Sequence, residues 1–142
     1  MKRLVLAGAL LAALLLPVGA VPATAATSAA SEEAASAKVW SRDGVLRKGC
    51  PGHRYRYAVE APTGNGESWS LEVFLVNRRG RTVAMGYELK GADPKEGRGR
   101  FQFCSQNMRP GRYKVKARLI WSHYSDEYVV WAKPKTIRLR RP

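Results

Sequence analysis

The stretch Met108–Trp121, MRPGRYKVKARLIW, constrains the fold more than any other part of the chain. It opens with the turn-forming pair Pro110-Gly111 and then alternates, with Tyr113, Val115, Ala117, Leu119 and Trp121 on one side and Lys114, Lys116, Arg118 and Ile120 on the other. A period of two with one apolar side is the pattern of a half-buried strand, because successive side chains of extended backbone point to opposite faces. The stretch therefore predicts a central strand of an all-β domain.

The rest of the chain from Val39 onward repeats this pattern in shorter form. Val39–Leu46 reads as a first strand interrupted at Asp43-Gly44. Arg54–Glu60 sets Tyr55, Tyr57 and Val59 against Arg54, Arg56 and Ala58, and ends at Pro62 and the turn residues Gly64-Asn65-Gly66. Trp69–Asn77 follows, and a short connection at Arg78-Arg79-Gly80 returns the chain through Arg81–Leu89. Lys90–Gly99, containing Gly91, Asp93-Pro94 and Gly97, reads as a break, and Arg100–Cys104 as a further strand. After the loop Ser105–Gly111 and the long strand, Tyr128–Trp131 and Thr136–Arg140 read as a last strand broken near Pro134, where proline removes a ladder donor. No helix of convincing period appears in this region.

About seven to eight short strands at this spacing predict an antiparallel β-sandwich. The layout over Val39–Pro142, with Pro110-Gly111-Arg112-Tyr113 opening the penultimate strand, resembles bacterial immunoglobulin-like domains. That resemblance implies two packed sheets and no particular activity, since such folds host many functions.

The N-terminus has the layout of an export signal. Lys2 and Arg3 precede the apolar run Leu4–Leu16, Pro17 ends it, and Ala23 and Ala25 place cleavage after Ala25. The run is shorter than the roughly 20 apolar residues of a membrane span. Expected boundaries are a signal peptide over 1–25, a flexible Ala/Ser-rich leader over 26–38 and a β-sandwich over 39–142, with a retained signal anchor as the alternative to cleavage. Export places the protein outside the cell, without a membrane span once the signal is removed. In an oxidising compartment the two cysteines predict one disulfide, Cys50–Cys104.

Twenty-five Lys and Arg face 11 Asp and Glu, a formal charge of +14. Loss of Lys2 and Arg3 with the signal leaves 23 basic and 11 acidic residues, a charge of +12. If Tyr113–Trp121 and Thr136–Arg140 are neighbours, their outward rows bring Lys114, Lys116 and Arg118 beside Arg138 and Arg140. Five such charges are the candidate binding face for an anionic cell-surface or extracellular polymer. Arg54, Arg56 and Arg100 are placed on the opposite sheet, so the same composition also fits a basic charge spread over the whole surface.

Catalytic patterns are fragmentary. His123, Ser125 and Asp126 lie within four positions on one hairpin, whereas a triad converges from separated segments. No nucleophile elbow, zinc-protease helix, phosphate loop or calcium loop occurs. The expectation is a secreted, non-catalytic binding or interaction module without cofactor, metal or specific nucleic-acid partner. The alternatives are a carbohydrate-binding module using Tyr124, Tyr128 and Trp131, a protein-interaction or inhibitor domain presenting Ser105–Gly111, and last a small hydrolase.

Overall fold

The computed structural model describes residues 35–62 and 64–142. The signal peptide and most of the leader read from the sequence lie outside the described residues. Among the described residues nine strands run in chain order: β1 Ser36–Trp40, β2 Gly44–Val45, β3 His53–Glu60, β4 Glu67–Val76, β5 Thr82–Leu89, β6 Glu96–Phe101, β7 Gly111–His123, β8 Asp126–Trp131 and β9 Lys135–Arg140. A 3-10 turn, Ser105–Asn107, precedes β7.

Two sheets form a β-sandwich. The smaller has the order β1-β3-β6 and the larger the order β2-β9-β7-β4-β5, with β8 also pairing β7. All pairs are antiparallel except β2 with β9. The long-range pairs β3–β6 and β4–β7 sit in opposite sheets, the arrangement of immunoglobulin-like sandwiches. β7 is central, as its alternation predicts: Tyr113, Val115, Ala117, Leu119 and Trp121 are all buried. β4 supplies the matching inward row Trp69, Leu71, Val73 and Leu75. Tyr113 Oη donates back to the Arg109 carbonyl, a tyrosine corner that fixes the entry to β7.

The first expected strand is two strands. β1 joins the small sheet and β2 the large one, and the chain crosses between sheets through Ser41–Asp43. β1 also opens at Ser36, ahead of the expected boundary at Val39. Ala37 is buried against the core and the Ser36 hydroxyl donates to Glu60 at 2.9 Å, so the end of the Ala/Ser-rich run belongs to the domain.

The break expected over Lys90–Gly99 is shorter than read, because β6 begins at Glu96. Gly97 and Gly99 signal a turn in the sequence, yet in the fold they are the inward positions of β6, directly opposite Tyr57 and Tyr55. A Cβ at Gly99 would meet the Tyr55 ring at 2.2 Å, and one at Gly97 the Tyr57 hydroxyl at 2.6 Å. The glycines make room for two tyrosine rings rather than for a turn.

Cys50 and Cys104 are bonded. They lie just before β3 and just after β6, whose ends meet at His53 and Phe101, so the bond clips two loops at one end of the small sheet. Among the described residues no helix is long and apolar enough to cross a membrane.

Candidate functional site

The five basic residues expected on one face all lie on the outer face of the large sheet, and one of them, Arg118, is paired with a carboxylate. Lys114, Lys116, Arg138 and Arg140 do share the outer face of the large sheet, and β7 and β9 are neighbours as required. Arg138 stands directly opposite Arg112, and Lys114 opposite Thr136. Arg78 from the β4–β5 hairpin joins this end of the sheet, and with Arg112 it borders the concavities that hold Lys114 and Lys116 on one side and Arg138 and Arg140 on the other. Arg118, the next outward residue after Lys116 on β7, differs from the rest in being paired. Its guanidinium is paired with the Glu72 carboxylate from β4 and lies 6.0 Å from the Phe74 ring centroid. The hydrogen bond to Glu72 holds the Arg118 pKa above its ordinary value, so its charge is already matched within the chain.

The denser array lies on the other side of the molecule. On β3 the outward residues are Arg54 and Arg56; on β6 they are Arg98 and Arg100. The register sets Arg54 directly opposite Arg100 and Arg56 directly opposite Arg98. Cross-strand neighbours are roughly 5 Å apart and alternate rows roughly 7 Å, so four guanidinium groups start from one small rectangle of backbone. β1 extends one row: Trp40, 40% exposed, stands opposite Arg56. Arg42 and Arg47, on either side of β2, close the edge. Together these residues and His53 line a concavity of about 840 Å³.

Like charges placed directly opposite each other destabilise a strand pair, and the usual remedy is a carboxylate between them. Among the described residues none of these four arginines is in an ion pair: Glu60, on the same face of β3, pairs with Lys38, and Glu96, the outward residue of β6 next to Arg98, pairs with none of them. Asp43, the nearest acid in sequence to Arg42, accepts the Arg138 backbone N–H at 2.8 Å instead. Glu88 is buried on the inner side.

His53 sits at the rim as a structural group. Its Nε2 is 3.0 Å from the Arg42 carbonyl and 2.9 Å from the Ser41 hydroxyl, which itself donates to the Arg54 carbonyl at 2.8 Å. Burial lowers the His53 pKa, so the ring is held neutral while it ties the β1–β2 crossing to β3.

Of this array, Arg54, Arg56 and Arg100 were legible as outward residues. Arg98 was hidden in the supposed break, and without it the second opposed pair is invisible. Of the aromatic residues expected at the last hairpin, Tyr124 and Trp131 are exposed, but Tyr128 faces inward and stacks on Trp121 at 4.7 Å. Those three do not form one platform. The loop Ser105–Gly111 is held down by buried Met108 and by the Tyr113 hydrogen bond. His123 lies 3.6 Å from Glu67 and edge-on to Tyr124, and no group of three or more His, Cys, Asp or Glu placed to hold a metal ion occurs among the described residues.

Fold and site together define a disulfide-clipped β-sandwich with two directly opposed arginine pairs on the outer face of its small sheet. No protein-family model matches the chain, and no curated protein matches it.

Proposed function

We propose that this protein is an extracellular, non-catalytic binding module that docks on anionic polymers through the outer face of its small sheet. The single observation that carries this reading is the double opposition of Arg54 with Arg100 and Arg56 with Arg98, none of the four in an ion pair within the chain. A polyanion supplies the missing counter-charge. Guanidinium forks match phosphate, sulfate and carboxylate groups bidentately, and two rows suit a ligand with repeated charges. Trp40 at the end of one row offers a ring face to the sugar or base that links those charges. The export signal read over residues 1–25 and the disulfide support an extracellular setting.

Heparin titration over a range of salt concentrations tests the site. Changing Arg54, Arg56 and Arg98 together to Gln is expected to weaken binding and to lower the slope of log affinity against log salt by roughly one per lost contact. Changing Lys114, Lys116 and Arg138 to Gln removes the same charge elsewhere and is expected to leave most of the slope. Equal losses from the two triples would reduce the attraction to net charge and dismiss the site.

A further inference from the structure

The large sheet has an outer face of a different character. Trp131, Tyr87, Met85, Val129 and Leu89 are 57%, 54%, 51%, 40% and 40% exposed. The registers of β8 on β7, β7 on β4 and β4 on β5 put all five on the same side of one continuous four-stranded surface. Exposed Trp, Tyr and Met on the two edge strands with a central Arg between them are the residue types enriched where proteins meet.

The arrangement of the patch selects its occupant. One row crosses the sheet as Trp131, Arg118, Glu72, Tyr87, and the next as Val129, Ile120, Ser70, Leu89. Consider a second copy laid face to face about a two-fold axis that runs parallel to the strands between β7 and β4. Each residue then meets the residue at the mirrored place in its own row. Arg118 of either copy faces Glu72 of the other, Trp131 faces Tyr87, and Val129 faces Leu89. The two Arg118–Glu72 pairs close into a four-membered network of alternating charge, and the aromatic residues stack at its two ends. An axis across the strands would instead set Arg118 on Arg118. We infer that this face is a homodimer interface of the first kind, an isologous contact between two large sheets packed with their strands within roughly 30° of each other.

The dimer leaves both small sheets outermost. Four stacked sheets with about 10 Å between neighbours separate the two arginine faces by about 30 Å, pointing in opposite directions. On the polyanion reading, the dimer is bivalent and joins two polymer segments. The interface itself does not depend on that reading.

Sedimentation velocity on the purified protein without polymer provides the test. Dimer is expected to grow with concentration from the micromolar range, and to grow further with added salt, because screening relieves the repulsion between two strongly basic copies. Polyanion binding has the opposite salt dependence. Trp131→Ser with Tyr87→Ser is expected to raise the dimer dissociation constant about tenfold or more, with the thermal midpoint of the monomer little changed since both side chains are exposed. Arg118→Glu alone is expected to break the dimer, and adding Glu72→Arg to restore it. The triple change at Arg54, Arg56 and Arg98 should leave the dimer intact even where heparin binding is lost, so either conclusion can fail without the other. A wild-type protein that stays monomeric to near-millimolar concentration, or a dimer indifferent to the Trp131 and Tyr87 changes, overturns the proposal. So does a monomer that binds neutral oligosaccharide through Trp131.

Discussion

Tyr55 and Glu88 hydrogen-bond across the sandwich, the phenol of β3 donating to the carboxylate of β5 at 2.7 Å. The two residues come from different sheets and are 1% and 7% exposed, so the bond is a polar tie between the layers inside an otherwise apolar core. Burial drives the Glu88 pKa upward against the hydrogen bond from Tyr55, which lowers it, and the nearby charge of Asp93 adds to the rise. The same burial, with Glu88 beside it, pushes the Tyr55 phenol up as well.

A pH dependence follows from that tie. Between the ordinary carboxyl value of 4.5 and the raised folded value, the folded protein keeps a proton that the unfolded chain has released. The contribution of Glu88 to stability is therefore fully present below the unfolded pKa and is lost as pH rises through the folded pKa. Urea midpoints measured from acidic to neutral pH should fall in this window for the wild type, relative to Glu88→Gln. Tyr55→Phe should cost about 1–3 kcal/mol at neutral pH by leaving a buried acceptor unpartnered. Parallel pH profiles for wild type and Glu88→Gln would show that the carboxyl does not titrate with folding.

His53 works in the other direction. Its folded pKa is lowered from 6.5, so its contribution is present above that value and is lost as the unfolded chain takes up a proton below it. His53→Gln should flatten the slope of stability against pH just below 6.5 without altering the slope that Glu88 sets.

The arginine face should trade stability for binding. Arg98 lies opposite Arg56 and neither is in an ion pair, so Arg98→Glu is expected to raise the thermal midpoint of the free protein while weakening heparin binding. A lowered midpoint would mean that the opposed arginines are not in conflict, and would remove the main support for the site.

The disulfide closes a loop with a sequence separation of 54. On the chain-entropy model its loss costs about 4 kcal/mol, a large share of the stability of a small domain. Replacing Cys50 and Cys104 with Ser should lower the urea midpoint accordingly, and the untreated native protein should take up no alkylating reagent in its mass.

Two tryptophans on opposite sides of the same sheet should behave differently. Trp121 is 5% exposed and stacked on Tyr128, and Trp121→Ala should cost about 3–5 kcal/mol. Trp131 lies on the outer face, and its replacement should be far milder in unfolding measurements made on the monomer.

The long strand was legible in full because alternation is a property of consecutive residues. Once Met108–Trp121 is extended, the sides taken by Tyr113 through Trp121 are fixed by the backbone, and the core row follows without reference to any other segment. The disulfide was equally accessible, since a chain with two cysteines has one possible pairing. The break at Lys90–Gly99 was misread because glycine carries two meanings locally, a turn or a space for a neighbour's ring, and Tyr55 and Tyr57 lie some 40 residues earlier in the chain.

What the sequence by itself determined is which side chains share a strand face, the all-β class, the single disulfide and the excess of positive charge. Only the tertiary structure decided which rows stand next to one another: Arg98 beside Arg56, Glu72 beside Arg118, Glu88 under Tyr55. The physical reason is that a strand's own pattern sets the direction of its side chains, whereas its partner and register are chosen by packing between segments far apart in the chain. Whether an outward arginine is neutralised or left to seek a polyanion depends on that choice.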